Sequence, residues 1–483
     1  MAGMPVASLF RVGCLLLLWA ASVEAALPVS FTRALHDADI PLDAVALVIQ
    51  PVESTEPILS HRAMQAMNPA SVMKLLTSMV ALDKLGPAYA WKTDIWAAGD
   101  INKGVLTGDL IIKAYGDPTL TLERIWLLQR ALKAQGIEAI HGNLVLDTAY
   151  FQLPQLDAGA LDGEPLANYN ALPAALLANY NASVFTFNVL NDVVVITPEL
   201  KQPKLAVVSH LVPDDAPCGE WKDRMFPVVG TLRTELVFEG RYARECGEKH
   251  LSLNLYDAAR NFDVTFRALW AESGGALTGS TLLGAAPAGT APLLSFPSIP
   301  LAEALRNQNK YSNNLMTRNL YLTLGAEANG APATLEKSRR AVQAWLADKK
   351  IAAPELVLEN GAGLSRIERI SAQTLGRILV MAYRSPYFSE FESALPIAAV
   401  DGTLKRRFTD SPLAGRAHLK TGTLKDARAL AGYVMNRDGR RIVFVMLVNH
   451  PQAEKADAAQ RALLDWTYTY SSPPSARRSR GKK

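Results

Sequence analysis

The sequence predicts an α/β (α+β) fold in which helical and strand-rich segments come in blocks. Three observations carry this. A hairpin and a helix open the body of the chain, up to about residue 90. Strand-like runs separated by Gly, Asp and Asn turns then dominate residues 91–294. Helical texture returns beyond that, and the chain closes on strand, turn, strand, helix. With 483 residues, and about 150 per domain, there is room for two to four domains. The expected partition is a discontinuous domain, 26–90 plus 295–470, interrupted by a mostly β insert at 91–294 made of two subdomains. An apolar share of 49% against 20% charged residues is ordinary for a globular protein that buries a real core.

The elements follow in order. Arg11, the apolar run Val12 to Ala20 and the small residues around Val23-Glu-Ala25 read as a secretory signal cut after Ala25. The run is too short to span a bilayer as a stable helix, and Cys14, within the run and three residues after Arg11, makes a poor lipoprotein site. Val45 to Gln50 and Pro57 to Ser60 form a hairpin around Glu53-Ser-Thr-Glu56. Asn68 caps a helix, Pro69 takes its first position, and Met73, Leu76, Val80 and Leu85 give it a core face until Gly86-Pro87 ends it. In the insert, strands are expected at Thr93–Trp96, Asp109–Ala114, Asn143–Asp147, Val184–Val189 and Val193–Thr197, with one helix at Leu122–Gln135. The duplicated Asn168-Tyr-Asn170 and Asn179-Tyr-Asn181 read as incidental. Helices follow at Leu301–Gln308, Ser312–Leu324 and Ala333–Asp348. His418–Leu424, Leu430–Met435 and Arg441–Asn449 are strands, the last two joined at Asn436-Arg-Asp-Gly439, and Ala453–Trp466 is a closing helix. Residues 471–483 form a disordered basic tail, loosely attracted to anionic envelope surfaces.

Composition excludes several roles. A net charge of +4 without a basic stripe interleaved with aromatics does not suit nucleic acid. The seven histidines are scattered and no cysteine pair has metal spacing, so no metal and no cofactor is expected. After signal cleavage Cys218 and Cys246 remain, and in an oxidising compartment they are expected to pair, worth roughly 3 kcal/mol on the chain-entropy model.

Three short stretches carry chemistry: Ser71-Val-Met-Lys74, Ser312-Asn-Asn314 and Lys420-Thr-Gly422. A serine hydroxyl is a poor nucleophile until a base takes its proton. Ser71 and Lys74 share one face of a helix start. Lysine becomes a base when burial or a nearby cation lowers its proton affinity, and Lys420 is that cation if its strand packs against the Ser71 helix. The backbone N–H groups of Ser71 and of Thr423 are the expected oxyanion donors. Ser312 is placed to relay a proton to the leaving amine, and the Asn314 amide to hold Lys74 and a substrate carbonyl. Lys420, Thr421 and Thr423 suit a terminal carboxylate, with Gly422 between them on an open strand edge.

These motifs are the set shared by β-lactamases and penicillin-binding proteins. The chain resembles the class C low-molecular-mass penicillin-binding proteins, the D-alanyl-D-alanine carboxypeptidase/endopeptidase family. Further matching stretches are Gly108-Asp-Leu110, Gly116-Asp-Pro-Thr-Leu120, Gly142 to Asp147, Gly361 to Arg366, and Leu395-Pro396 through Asp401-Gly402 to Leu404. The resemblance implies a penicillin-binding/transpeptidase-like domain, an antiparallel sheet flanked by helices, split by the insert. It implies cleavage of D-Ala-D-Ala, or of D-Ala-diaminopimelate cross-links, in peptidoglycan stem peptides, with β-lactams as covalent inhibitors acylating Ser71. The short signal segment favours a bacterial periplasm over a Gram-positive surface as the location. Some members hold the diaminopimelate side chain with an acid of the insert, for which Glu164 and Asp162 lie in the corresponding stretch. Asn360 stands where the family usually shows Asp.

Two other functions remain open on the sequence. A serine β-lactamase needs a glutamate-held water to deacylate penicillin, and Glu392-Ser-Ala-Leu395 only loosely fits, since Pro396 follows. A non-catalytic wall-binding or β-lactam-sensing protein has no need of a nucleophile–base pair.

Overall fold

The computed structural model describes residues 26–471; the signal segment read at 1–25 and the tail beyond Ser471 lie outside the described residues. The centre is a five-stranded antiparallel sheet. Its strands lie in the order Ala417–Leu424, Ala427–Met435, Arg441–Asn449, Val45–Pro51, Leu59–His61. Alternation decides its packing. Ala46, Val48, Val443, Val445 and Leu447 join one hydrophobic cluster, while Val45, Leu47, Ile49, Ile442, Phe444 and Met446 join the other. Both faces are therefore covered, which is why these strands read as continuous apolar runs rather than alternating ones.

Helices Val29–Asp37 and Asp457–Thr469 cover one face. On the other lie Lys74–Leu85, Leu301–Lys310, Asn314–Asn329, Leu335–Asp348 and Ala372–Tyr383. The Lys74–Leu85 helix is buried from Lys74 through Leu82, all the way round. A helix in that position needs no polar face. It ends at Gly86, whose φ of 82° suits only a residue without Cβ strain.

The expected insert holds two further cores. A seven-stranded sheet built on Lys92–Asn102 and Val105–Ala114 packs under helices Leu122–Ala134 and Ala258–Glu272. Two three-stranded sheets enclose Phe185, Phe187, Phe238 and Tyr242, and the Cys218–Cys246 disulfide lies at that core.

Three expectations need correction. The insert carries two helices, not one. Ala258–Glu272 is capped by Asp257, whose side chain accepts the Arg260 N–H, and it buries Phe262, Phe266 and Trp270 at four-residue spacing. That was a readable helix signal. The boundary at 294/295 cuts a strand, because Leu294–Pro297 pairs with Lys92–Asn102 in the insert's own sheet. The helix expected from Pro69 begins instead as a 3-10 turn, Ala70–Met73, and becomes α-helical at Lys74. Ala70 has a φ of 45°, so the chain bends sharply just before Ser71.

Candidate active site

The bend at Ala70 is held from three sides. The Asn68 side-chain oxygen accepts the Ala70 N–H at 2.9 Å. The Asn449 amide receives the Asn68 N–H at 2.7 Å and donates to its carbonyl at 2.9 Å. The Asn68 amide nitrogen donates to the Ser365 carbonyl at 2.8 Å. This ties the turn carrying Ser71 to the end of a central strand and to the 359–365 loop.

Lys74 lies one turn further, fully buried. Its ammonium donates to Ser71 Oγ at 2.8 Å, Asn314 Oδ1 at 2.7 Å and the Ala362 carbonyl at 2.6 Å. Burial first, and then the positive charge of Lys420, push its proton affinity well below that of a free lysine, with Arg318 adding to the effect and Glu368 opposing it. Once neutral, the amine keeps two hydrogens. The two carbonyl oxygens fix those hydrogens, which turns the lone pair toward the Ser71 hydroxyl.

The second motif sits between two helices. Leu301–Lys310 ends just before it, and the next helix begins at Asn314, with Asn313 as the cap accepting the Met316 N–H at 2.9 Å. Ser312, expected inside the helix, precedes it at a φ of 57°. Its hydroxyl accepts from Lys420 Nζ at 2.7 Å. Lys420 also donates to the Thr421 carbonyl at 2.8 Å, and burial pushes it down to about 7. Thr421 Oγ1 bonds Thr403 Oγ1 at 2.9 Å, and Thr423 Oγ1 accepts from Arg428 at 2.9 Å. Gly422 brings the strand edge against the turn that carries Ser71: a Cβ there would lie 3.1 Å from the Ser71 nitrogen and 2.6 Å from the Pro69 carbonyl oxygen.

Asp162 and Glu164 stand in an exposed loop whose tip reaches the site through a neighbour. Asp162 accepts from the Tyr169 hydroxyl at 2.8 Å, from the Asn170 amide at 2.8 Å and from the Glu164 N–H at 3.1 Å. Partial burial opposes ionisation of Asp162, but these donors outweigh it and hold the carboxyl below the ordinary range. The Tyr169 carbonyl accepts from the Asn314 amide at 3.2 Å. The Asn168-Tyr-Asn170 turn is therefore part of the site and not incidental. A neighbouring cavity of about 550 Å³ is lined by Asp157, Asn170, Arg318, Asn360 and Arg366, among others; Asp162 and Glu164 are not among its lining residues.

Several groups escaped the sequence reading. The carboxylate missing at Asn360 reappears as Glu368, fully buried behind the loop 359–363. Arg318 lies one turn after Asn314 and donates to the Ala171 carbonyl at 3.2 Å. The sequence signal for the loop around Glu368 was the close pair Gly361 and Gly363, which the structure places at φ 69° and 78°. Glu392, the glutamate weighed for a water-holding role, lies in a short helix and pairs with Arg441 at 2.9 Å. Among the described residues no cluster of three or more His, Cys, Asp or Glu is placed to hold a metal, and no helix is long and apolar enough to cross a membrane.

Comparison with known proteins gives the same direction. The model of the D-Ala-D-Ala carboxypeptidase 3 (S13) family matches residues 29–470. D-alanyl-D-alanine carboxypeptidase DacB of Haemophilus influenzae is 27% identical over 84% of this chain and 85% of its own length. The D-alanyl-D-alanine carboxypeptidase of Actinomadura sp. strain R39 is 26% identical over 90% and 84%. The crystal structure of penicillin binding protein 4 (dacB) from Haemophilus influenzae has the same fold, with a TM-score of 0.76 and 24% identity over 92% of this chain and all of that one. That protein has also been solved in complex with a β-lactam (TM-score 0.72, 24% identity, the same coverage). The chain thus belongs to the D-Ala-D-Ala carboxypeptidase 3 (S13) family and is a serine-type D,D-peptidase of peptidoglycan.

Proposed function

We propose that Ser71 is the acyl-forming nucleophile and Lys74 its base, and that the enzyme cleaves the D-Ala-D-Ala bond, D-Ala-diaminopimelate cross-links, or both, in the cell envelope. One observation carries this: a buried lysine, depressed in proton affinity, lies 2.8 Å from the serine it would deprotonate. Ser71 Oγ attacks the carbonyl carbon of the penultimate D-Ala while its proton passes to Lys74. The oxyanion takes the N–H groups of Ser71 and Thr423. Collapse expels the amine, which receives its proton through Ser312. Water then hydrolyses the ester and restores Ser71. Asn314 holds Lys74 and the substrate carbonyl, and Lys420, Thr421 and Thr423 receive the terminal carboxylate along the edge that Gly422 leaves open. Asp162 and Glu164 face the diaminopimelate side chain. β-Lactams acylate the same serine, a reading supported by the β-lactam complex of the Haemophilus influenzae protein. The signal-like segment 1–25 supports a periplasmic location, and the basic tail supports loose contact with the envelope surface.

Incubation of the purified enzyme with sacculi, followed by mass analysis of the products, tests this. Release of D-alanine, of uncrosslinked muropeptides, or of both by the parent, with neither from Ser71→Ala, is expected. Rapid steady-state turnover of nitrocefin would instead favour a β-lactamase. A parent inactive on every muropeptide would favour a wall-binding protein.

A further inference from the structure

Glu368 is fully buried. One of its oxygens accepts the N–H groups of Glu359, Asn360 and Gly361 at 3.0, 2.9 and 2.7 Å, and the other accepts that of Gly363 at 2.8 Å. Every one of these four partners is a donor. Burial raises the proton affinity of Glu368 above that of a free glutamate, and these four N–H groups oppose it. A protonated acid would need an acceptor for its own hydrogen and finds none among them, so the group is a carboxylate. The loop it gathers presents two carbonyls to the nucleophile helix. Ala362 O accepts from Lys74 Nζ at 2.6 Å, and Gly361 O from Thr77 Oγ1 at 2.7 Å. The Asn360 amide closes the loop on itself, accepting from the Ala362 N–H and donating to the Leu364 carbonyl, both at 2.9 Å.

The charged surroundings are lopsided. Lys74 faces Glu368 from the nucleophile helix, and Arg318 and Tyr321 face it from the Asn314–Asn329 helix. Lys420 faces Lys74 from its strand, and Glu359, in the loop itself, faces Arg318. Lys74, Lys420 and Arg318 set three basic side chains around one nucleophile, against the single buried carboxylate of Glu368.

We propose that Glu368 is a positioning residue of this site: its carboxylate folds the 359–363 loop so that the Ala362 carbonyl meets Lys74 Nζ, and it offsets the surplus of positive charge there. The inference rests on the reading of Ser71 and Lys74 as nucleophile and base. Glu368 touches neither substrate nor the reacting atoms and acts through Lys74.

The test is the rate of Ser71 acylation by a fluorescent penicillin, followed in the mature enzyme from about pH 5 to pH 9. Glu368→Gln keeps the shape, removes the charge and turns an N–H donor toward the Gly363 N–H. The expected result is a plateau rate lowered about tenfold or more and an acidic limb moved about one pH unit lower, because Lys74 loses its only opposing charge. Glu368→Asp keeps the charge on a shorter arm, so the limb stays while the plateau falls. A folded Glu368→Gln enzyme, melting as the parent does, with the parent's acidic limb overturns the proposal. If Glu368→Gln does not fold, Glu368→Asp decides: a plateau at the parent rate overturns the proposal, and a lowered plateau with an unmoved limb supports it. Acylation of Ser71→Ala, run alongside, would overturn the reading of Ser71 instead.

Discussion

Replacing Gly363 with alanine puts a methyl group where the backbone before Ser71 already lies. The added Cβ would sit 1.7 Å from the Ala70 carbonyl oxygen and 2.9 Å from the Ser71 nitrogen. Ordinary contact begins near 3.4 Å, so the loop and the Ser71 turn must separate by more than an ångström. Gly363 also has a φ of 78°, which costs an L-residue about 1–2 kcal/mol by itself. Gly415 separates the two effects: its φ is 72°, and a Cβ there would meet nothing within 4 Å. Gly415→Ala should therefore lose only about 1–2 kcal/mol of stability and acylate at the parent rate. Gly363→Ala should lose more stability and acylate at least about 100-fold more slowly, because displacement of reacting groups by about 1 Å costs that much. Thermal melting and stopped acylation with a fluorescent penicillin measure both quantities. A Gly363→Ala enzyme that melts like Gly415→Ala and acylates at the parent rate would refute the close packing of the loop against the Ser71 turn.

Three further outcomes are expected. Burial holds Lys420 down to about 7, while an unfolded lysine titrates near about 10.4. Below pH 7 both states are protonated and the folded one bears the full cost of a buried charge. Between the two values the unfolded state binds more protons, so stability rises with pH, by up to about 1.4 kcal/mol per unit. The stability of the parent relative to Lys420→Met should therefore climb from pH 7 to 10, and parallel melting curves would contradict the buried charge. Cys246→Ala opens a link spanning 28 positions and should cost roughly 3 kcal/mol in the core around Phe187 and Phe238, leaving acylation at 25 °C unchanged; slowed acylation would show the insert and site to be coupled. Asp162→Asn, which keeps an acceptor for Tyr169 and Asn170 and removes the charge, should leave penicillin acylation intact and raise the KM for diaminopimelate-containing muropeptides, whereas an unchanged KM would remove the Asp162 charge from substrate recognition.

Much of this molecule was legible in one dimension. Apolar runs marked the central strands because both sheet faces are covered, and Ser71 and Lys74, three residues apart, share a helical face by geometry alone. The pairing of Cys218 with Cys246 followed from there being two cysteines in an oxidising setting. Local reading failed where a signal was present but unused, as at Asp257 with its phenylalanines four apart. It also failed where the chain departs from regular dihedrals, as at Ala70 and Ser312, since a left-handed residue is set by what its neighbours tie down.

What the sequence by itself determined is the inventory: two hydroxyls, two amines, an amide and the elements that carry them. Only the tertiary structure decided which groups condition them. Lys74 meets Asn314 across 240 positions and the Ala362 carbonyl across 288. Glu368, Arg318 and the Tyr169 turn enter the site by the same long-range folding. The physical reason is that proton affinity depends on burial and on charges a few ångströms away. Neither is a property of a residue's neighbours in the chain; both arise when distant segments close a dry interior around it.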